Sequence, residues 1–407
     1  MGKPEIRFKG YTDEWEQRKL GDVHDDMYNG QTPSRNKSEY WNGNIKWLSS
    51  GELNRGTVYD SMEMITEDGQ KSANLRIVPK GTFIMAITGL EAAGTRGNCA
   101  LLGFDTTLNQ SCMALFPKKD LLTSDFLFQW YRKVGEEYGI NYTQGTKQQS
   151  YNAELIKILP ISLPSVAEQR KIASYLSNLD HLITLHQRKC DEVKSLKKYM
   201  LQKMFPQNEQ KVPEIRFEGF TEAWEQRKFG DLVEKYEDPV VTPTEGYTRL
   251  GIRSHAKGTF HSYVEKGKEL ETAKMFRVAS DKFIVNITFG WEHAVAITDE
   301  NDAGKLVSHR FPQYSFNAGM IPKFFRYLIL DKKFKHHLEL SSPGGAGRNR
   351  VLKLSDMLEY KMNFPCEEEQ RKIAAYFDDL DHLITLHQQK CEELKKIKKF
   401  MLQKMFV

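Results

Sequence analysis

Residues 168–205 read EQRKIASYLSNLDHLITLHQRKCDEVKSLKKYMLQKMF, and residues 369–406 read EQRKIAAYFDDLDHLITLHQQKCEELKKIKKFMLQKMF. The two stretches agree at 28 of 38 positions, which is far more than chance allows. A second pair of copies opens the two halves of the chain: PEIRFKGYTDEWEQRKLGDV at residues 4–23 and PEIRFEGFTEAWEQRKFGDL at residues 213–232. Between these blocks the halves have diverged almost beyond alignment. The chain is therefore an internal repeat that keeps its framework and varies its inserts.

Each long copy predicts one long helix. Residues 168–205 contain neither Gly nor Pro, and Pro164 and Pro206 flank them as expected at helix edges. A helix of 38 residues is about 57 Å long. Apolar or small residues recur at steps of four and three, which is the spacing of a coiled coil. In the first copy this stripe comprises Ile172, Leu176, Leu179, Ile183, His186, Cys190, Val193, Lys197, Met200 and Met204.

The two helices most simply pair with each other, either parallel or antiparallel. A pseudo-two-fold relation between the halves favours antiparallel packing. Cys190 would then face the region of Ile384 rather than Cys391, which predicts no disulfide between the two cysteines. The polar breaks in the stripe, His186 and Lys197, are better interpreted as markers of register than as chemistry.

Composition and charge limit the class of protein to which the chain can belong. The chain has 407 residues, of which 40% are hydrophobic and 11% aromatic, enough for real cores. A net charge of +5 is compatible with a nucleic-acid partner without being diagnostic of one. The five scattered cysteines form no CxxC pair, which favours a reducing compartment. With no signal core and no apolar run of membrane length, we expect a cytoplasmic protein without a membrane partner.

The predicted fold class is mixed α/β, in the form of two α/β domains separated by a pair of long antiparallel coiled-coil helices with a pseudo-two-fold internal repeat. The predicted divisions are a first domain at 1–167, a first long helix at 168–205, a linker at 206–212, a second domain at 213–368 and a second long helix at 369–407.

The two inserts, 24–167 and 233–368, mix strand and helix signals. Residues 71–88 align with residues 271–288, and the apolar run in each predicts a buried strand. Helical signals follow, and they predict helices over 124–137 and 322–339. The inserts are therefore interpreted as one fold with a common core and different loops.

The insert loops carry residues suited to reading DNA. Arg and Lys match guanine edges and phosphates, whereas Asn and Gln match adenine edges. Segments 143–150 and 342–350 are the stronger candidates, because they occupy equivalent places and both combine glycines with basic or amide side chains. The candidate DNA-binding residues are Arg35, Lys46, Ser49, Ser50, Arg96, Asn98, Thr146, Lys147, Gln148, Arg249, Arg253, His255, Trp291, Arg348, Asn349 and Arg350.

Sequence motifs of catalysis are missing. The chain has no GxxxxGK[ST] phosphate loop, no HExxH and no Asn/Asp-Pro-Pro-aromatic motif of base methylation. His24, Asp25 and Asp26 are better interpreted as an acidic turn than as a nuclease site. We expect no catalytic residue, no metal site and no cofactor in the chain itself.

The layout resembles the specificity subunit of type I restriction-modification systems. The resemblance is carried by the boundary pattern Pro-x-x-x-Glu-Gln-x-x-Ile-Ala at Pro164–Ala173 and Pro365–Ala374, each followed by a long helix. An element Thr-Pro…Tyr-Trp-x-Gly and a Gly-Thr pair before the boundary are also typical of that family. In this chain they are Thr32, Pro33, Tyr40, Trp41 and Gly43, then Gly145 and Thr146. The second insert departs from the pattern, since it lacks Tyr-Trp-x-Gly and has Gly347 in place of Thr146.

The resemblance implies a non-catalytic subunit that reads an asymmetric two-part target in double-stranded DNA. It implies two modification (methyltransferase) subunits and two restriction (translocase and nuclease) subunits as partners, which would hold S-adenosylmethionine, ATP and Mg²⁺. The helices resemble the surface on which modification subunits dock. The residues assigned to that docking are Ile172, Leu176, Leu179, Ile373, Phe377 and Leu380. Alternatives are a scaffold whose inserts bind proteins, and a methyltransferase in its own right, which the missing motif disfavours.

Overall fold

The structure is a computed structural model that describes residues 2–92, 94–145, 149–207, 210–268, 274–344 and 350–407. The chain divides into two compact units, Met1–Arg188 with Gln388–Val407, and Lys189–His387. This division differs from the predicted domain boundaries, because each long helix contributes one half to each unit.

The first unit contains the first repeat up to the middle of its long helix. Its elements in chain order are β1 (Glu16–Lys19), β2 (His24–Asn29), β3 (Trp41–Leu48), β4 (Thr57–Val58), β5 (Glu63–Ile65), α1 (Glu67–Ser72), β6 (Phe83–Ala86), β7 (Cys99–Leu102), β8 (Thr107–Leu108), β9 (Cys112–Pro117), α2 (Ser124–Asn141), α3 (Ala153–Lys157), β10 (Pro160–Leu163) and the first half of α4 (Val166–Lys203).

The second unit begins with the rest of α4. Its further elements are β11 (Glu225–Lys228), α5 (Phe229–Leu232), β12 (Val233–Tyr236), β13 (Pro239–Val240), β14 (Tyr247–Ile252), β15 (Thr259–Val264), β16 (Met275–Arg277), β17 (Lys282–Val285), β18 (Val295–Ile297), β19 (Leu306–Ser308), β20 (Gln313–Phe316), α6 (Pro322–Leu328), α7 (Lys332–Leu340), α8 (Leu354–Leu358), β21 (Lys361–Phe364) and the first half of α9 (Glu367–Lys404).

The two inserts share a core sheet and part of a second sheet. Strands run in the order β2-β9-β6-β7-β4 in the first unit and β12-β20-β17-β18 in the second. The aligned apolar runs form the equivalent strands β6 and β17, and Phe83 and Phe283 are fully buried, so the predicted common core is confirmed. A second sheet is also shared: β5-β3-β8 in the first unit and β15-β14-β19 in the second have the same order and the same antiparallel and parallel pairings, and the second unit adds β16 and β13 beside β19.

The helix predicted over 124–137 is confirmed as α2, whose first turn is capped by the Thr123 hydroxyl accepting from the Phe126 N–H. The helix predicted over 322–339 is instead two helices, α6 and α7. The Asp331 carboxylate accepts a hydrogen bond from the Lys333 N–H at 3.1 Å, which caps a new helix N-terminus within the predicted span.

The duplicated segments contact each other within each unit, which explains their joint retention in both repeats. Arg7 of PEIRF forms a bidentate ion pair with the buried Glu168 at 2.7 and 2.8 Å. Arg216 pairs with the buried Glu369 at 2.7 Å through two nitrogens. A carboxylate this deeply buried needs a cationic partner, so the Arg and the Glu are required together.

The Gln of each boundary motif joins the long helix to the core. The Gln169 side chain donates to the carbonyls of Leu121 and Pro164, and its oxygen accepts from the Thr123 N–H. Gln370 repeats this pattern with the carbonyls of Gly319 and Pro365. The buried Glu-Gln pair is therefore a structural joint.

Each unit contains an antiparallel pair of long-helix segments. In the first unit Lys398 of α9 pairs with Asp180 of α4, and the Cys391 sulfur lies 3.9 Å from the Ile183 carbonyl oxygen. Because positions rise along α4 as they fall along α9, the segments run in opposite directions.

The second unit repeats the arrangement with the helices exchanged. Lys197 pairs with Asp381 at 2.5 Å, and the Cys190 sulfur lies 3.9 Å from the Ile384 carbonyl oxygen. The predicted position of Cys190 is confirmed, and none of the cysteines in the described residues forms a disulfide. The lysines in the stripe form cross-helix ion pairs, consistent with a role in register.

Lys398 is a buried cation whose environment is unfavourable to its charge. Its side chain is 6% exposed, and Asp180 is shared with Arg132, which approaches it to 2.6 Å. Burial and the neighbouring Arg132 charge lower the pKa of Lys398 to about 8, against the opposing effect of Asp180.

This pKa predicts a pH-dependent stability. Between pH 8 and the ordinary lysine value of 10.5, the unfolded chain binds more protons at Lys398 than the folded chain, so the free energy of unfolding contributed by this site rises with pH, by about 3 kcal/mol in all. We expect Lys398→Met to abolish that rise and to be no less stable than wild type at pH 7. Denaturant unfolding of both proteins at pH 7 and pH 10 measures this, with Lys197→Met as the repeat-equivalent control. An identical pH dependence in wild type and Lys398→Met would contradict it.

Candidate nucleic-acid interface

Three segments of the second insert that contain candidate DNA-binding residues contact one another. The His255 and Ala256 N–H groups donate to the carbonyls of Glu292 and His293, both at 2.8 Å. The Arg350 guanidinium lies 5.2 Å from the centre of the Trp291 ring. Segments 249–258, 288–293 and the described part of 342–350 are thereby one continuous surface.

The backbone of this surface is tightly constrained. His255, Ala256 and His293 all have φ between 50° and 62°. This is a left-handed backbone conformation that residues other than Gly rarely adopt. The His293 ring is buried and bonds the Ile329 carbonyl, and burial lowers its pKa. Packing therefore imposes the loop conformation, which is a common feature of functional sites.

The candidate side chains of the second insert have different environments. Arg249 is exposed, whereas Arg253 donates to the Thr259 carbonyl and lies over the Phe260 ring. Arg350 donates to the carbonyls of Ser342 and Glu339, both at 3.1 Å, so part of its guanidinium fixes its own loop. The predicted contacts Arg348 and Asn349 lie outside the described residues.

The first insert brings equivalent segments together. The Leu90 N–H donates to the Gln149 carbonyl at 3.1 Å, and the Tyr151 N–H donates to the Ile87 carbonyl at 2.9 Å. The equivalent bond in the second insert runs from the Leu352 N–H to the Ile287 carbonyl, also at 2.9 Å. Loops 89–98 and 143–151 are thus adjacent, although the predicted contacts Thr146, Lys147 and Gln148 lie outside the described residues.

Two predicted DNA contacts in the first insert have internal roles. Arg96 donates to the carbonyls of Leu90 and Glu91, both at 2.8 Å, and Asn98 accepts from Arg55 at 3.2 Å. The loop conformation depends on these bonds, so both side chains are committed to it. Arg55, which the sequence reasoning missed, joins this loop to the strand region before β4.

The remaining candidates surround the Tyr-Trp-x-Gly element. Arg35 lies 3.7 Å from the centre of the Trp41 ring and bonds Glu63 at 2.9 Å, and that bond lowers the pKa of Glu63. Lys46 pairs with Asp60 at 2.5 Å. The cations of this region are therefore already partnered, and a phosphate would have to compete with carboxylates for them.

The two candidate serines of this region, Ser49 and Ser50, differ in their environments. Ser49 donates to Glu52 from both its backbone and its hydroxyl, which forms a capping box for the short 3₁₀ helix Ser50–Glu52. Ser50 is half-buried at the start of that helix. Gly43 permits a close approach, since a Cβ there would meet the backbone of Ile65 and Thr66.

A cleft of about 370 Å³ opens beneath the second-insert loops. It was not predicted from the sequence. A glycine inside a strand was the available signal, because such a residue often marks a close approach. Gly251 of β14 pairs with Phe260 of β15, and a Cβ at Gly251 would overlap the Phe260 ring. The lining residues are Arg249, Leu250, Gly251, Ile252, Ser254, Phe260, Met275, Asn286, Phe289, Glu292, Ser308 and Phe311.

A family model described as "Type I restriction modification DNA specificity domain" matches residues 12–195 and 221–396, once in each repeat. The chain belongs to this family. The resemblance found in the sequence is thus confirmed at the level of the family.

Relatives of this specificity protein differ in the extent of the match. The MjaVIII specificity subunit of Methanocaldococcus jannaschii is 23% identical over 407 residues, covering 95% of this chain and 91% of that protein. The MjaIX specificity subunit of the same organism is 28% identical over 230 residues, and the EcoR124I/EcoR124II specificity subunit of Escherichia coli is 27% identical over 183 residues. These two matches cover 54% and 44% of this chain, and the chain spans 52% and 43% of those proteins, about half their length.

A solved structure supports the fold of the specificity protein. The crystal structure of the S subunit of a type I restriction-modification system from M. genitalium superposes with a TM-score of 0.61 at 14% identity, covering 100% of this chain and 99% of that chain. At this identity the likeness establishes the fold alone.

The docking positions assigned to the helices of the specificity protein require correction. Ile172, Leu176 and Leu179 lie in the core of the first unit, and Ile373, Phe377 and Leu380 lie in the core of the second. All six are less than 10% exposed. They pack each helix onto its own insert and cannot present a surface to another protein.

The helices expose a different set of apolar side chains. Leu182, Ile397 and Phe400 in the first unit have the equivalents Leu383, Leu196 and Tyr199 in the second, whereas Leu386 is exposed in the second unit alone. The two sets occupy equivalent repeat positions and are 39–50% exposed. Each unit therefore exposes an equivalent set of three apolar side chains on its long-helix segments, termed here the first-unit patch and the second-unit patch.

Within the described residues, no cluster of three or more His, Cys, Asp or Glu side chains is arranged to hold a metal ion. The helices within those residues include none that is long and apolar enough to cross a membrane.

Proposed function

We propose that the chain is the DNA-reading subunit of a type I restriction-modification complex and that its two inserts read the two unlike halves of an asymmetric target. The proposal is supported chiefly by one observation: the inserts share a core sheet and a helix joint, yet present different side chains on loops that meet at equivalent places in each domain. A conserved frame with variable edges is what a reader of variable sequence requires.

The complex would contain two modification subunits and, for cleavage, two restriction subunits. The modification subunits would bring S-adenosylmethionine for adenine methylation, and the restriction subunits would bring ATP and Mg²⁺. The chain would supply recognition without catalysis.

The two apolar patches are the proposed docking sites of the modification subunits. Exposed apolar positions on a helix favour protein association. Since the patches are equivalent by the repeat, the same partner surface fits both, which supports two copies of one subunit.

The proposal is tested by mixing the chain with its modification subunits and a pool of random duplexes. Retention of one two-part sequence, with affinity falling steeply as salt rises, is the expected result. A scaffold that binds only proteins, the alternative from the sequence, would retain no sequence above background.

Arg249 and Arg96 provide a prediction that separates DNA contact from loop support. Arg249→Ala removes an exposed guanidinium, so we expect the stability to change by less than about 0.5 kcal/mol and the target affinity to fall by about 1–3 kcal/mol. Arg96→Ala frees two loop carbonyls, so we expect a stability loss of about 1–3 kcal/mol. Thermal unfolding and filter binding measure both quantities. Equal behaviour of the two variants would contradict the assignment.

A further inference from the structure

The cleft in the second insert lies at the carboxyl ends of two neighbouring parallel strands. β14 pairs with β19 where Arg249 faces Leu306, and the cleft lies beyond that point, lined by Ile252 on one strand and Ser308 on the other. A crevice at the carboxyl ends of parallel strands is a recurrent place for ligands in α/β sheets. Its volume of about 370 Å³ is in the range of small-ligand pockets, roughly 300–1,000 Å³.

The walls of the cleft are aromatic. Phe260 lies across Gly251 on the hairpin side and is 40% exposed, and Phe289 and Phe311 contribute further rings. Flat apolar walls suit a planar ring system, because an aromatic ligand can stack on them.

Polar groups in the cleft have unused capacity. The Asn286 side-chain oxygen accepts from the Thr288 N–H at 3.1 Å, which leaves its NH₂ group to donate. One Glu292 oxygen accepts from the Ser254 hydroxyl at 2.5 Å, which leaves the other oxygen to accept. Arg249 lies at the rim. Donor, acceptor and aromatic faces together match the edge and faces of a nucleobase.

We propose that this cleft receives one nucleobase turned out of the stack of the bound duplex, in the half of the target that the second insert reads. This inference rests on the proposed function and extends it by assigning a base-binding site to the specificity chain itself. Strand β14 carries Arg249 and the loops that border the cleft carry Arg253 and Trp291, so a base held there would belong to DNA in contact with these side chains. Stacking on aromatic side chains offsets the loss of stacking within the duplex.

The test uses the complex with its modification subunits and duplex targets that carry 2-aminopurine at each position in turn. With wild type, the fluorescence at one position of the second-insert half, other than the adenine that the modification subunit itself turns out for methylation, should rise several-fold on binding. Phe260→Ala should remove that rise and weaken binding about tenfold. Phe260→Tyr should retain both, because it keeps the ring. Tyr263→Ala, which removes a 65% exposed ring of the same strand outside the cleft, should behave as wild type.

Gly251→Ala is the second variant, chosen because its new Cβ displaces the Phe260 ring without removing it; it should lose the signal as well. A rise that persists in Phe260→Ala and in Gly251→Ala overturns the inference, since it then arises elsewhere in the complex. Absence of any rise while wild type binds its target specifically also overturns it and leaves the proposed function standing. Absence of specific binding by wild type overturns the proposed function.

Discussion

Replacing residues 233–364 with the corresponding segment of a family member that reads another sequence is expected to change one half of the methylated target and to leave the other half unaltered. The reason is that this insert contributes its loops only to its own unit, while the joint to the long helix is the same in both repeats. Methylated-base sequencing of cells that carry the hybrid chain measures both halves at once.

The reciprocal replacement of residues 24–163 is the control for this exchange, and it should change the other half alone. Each hybrid should retain Arg7 with Glu168 and Arg216 with Glu369, because loss of one partner of either pair leaves the other as an unpaired buried charge and costs about 3–5 kcal/mol. A hybrid that altered both halves of the target would contradict independent reading by the two inserts.

The double substitution Leu196→Glu and Leu383→Glu is expected to remove one modification subunit from the complex. The second-unit patch would then carry two charges where an apolar contact is proposed, and the loss of such central contacts costs about 2–4 kcal/mol of binding. Adding Glu at Leu182 and Ile397 of the first-unit patch should remove the second modification subunit. Native mass spectrometry of the assembled complex counts the subunits.

Leu340→Glu is the control for these substitutions, because it changes an exposed leucine of α7 that belongs to neither patch. It should leave the full assembly intact. If the variant with all four Glu substitutions retained both modification subunits, their docking site would have to lie elsewhere on the chain.

The long helices could be predicted to within three residues because their signal is local: a Gly- and Pro-free run with a repeating apolar stripe. The division of α6 from α7 was missed, since the capping role of Asp331 depends on where the chain turns. The apolar stripe also indicated correctly that one face of each long helix is buried. It did not indicate which surface covers that face. Ile172 and Phe377 were assigned to a partner and are buried against their own inserts, because a helix pattern does not identify the surface that covers it.

Loop side chains were the least predictable part of the site. Arg96 and Arg249 look alike in sequence, yet one bonds its own loop carbonyls and the other is exposed. The difference depends on long-range backbone placement. The cleft under Phe260 is likewise lined by β14 and β19, two strands far apart in the sequence, so no local pattern encodes it.

The most direct measurement is a genome-wide map of methylated adenines in cells with the chain, without it, and with the two hybrids. The account predicts one asymmetric two-part motif whose methylation requires the chain and whose halves change separately in the two hybrids. A map in which no motif depends on the chain would contradict it.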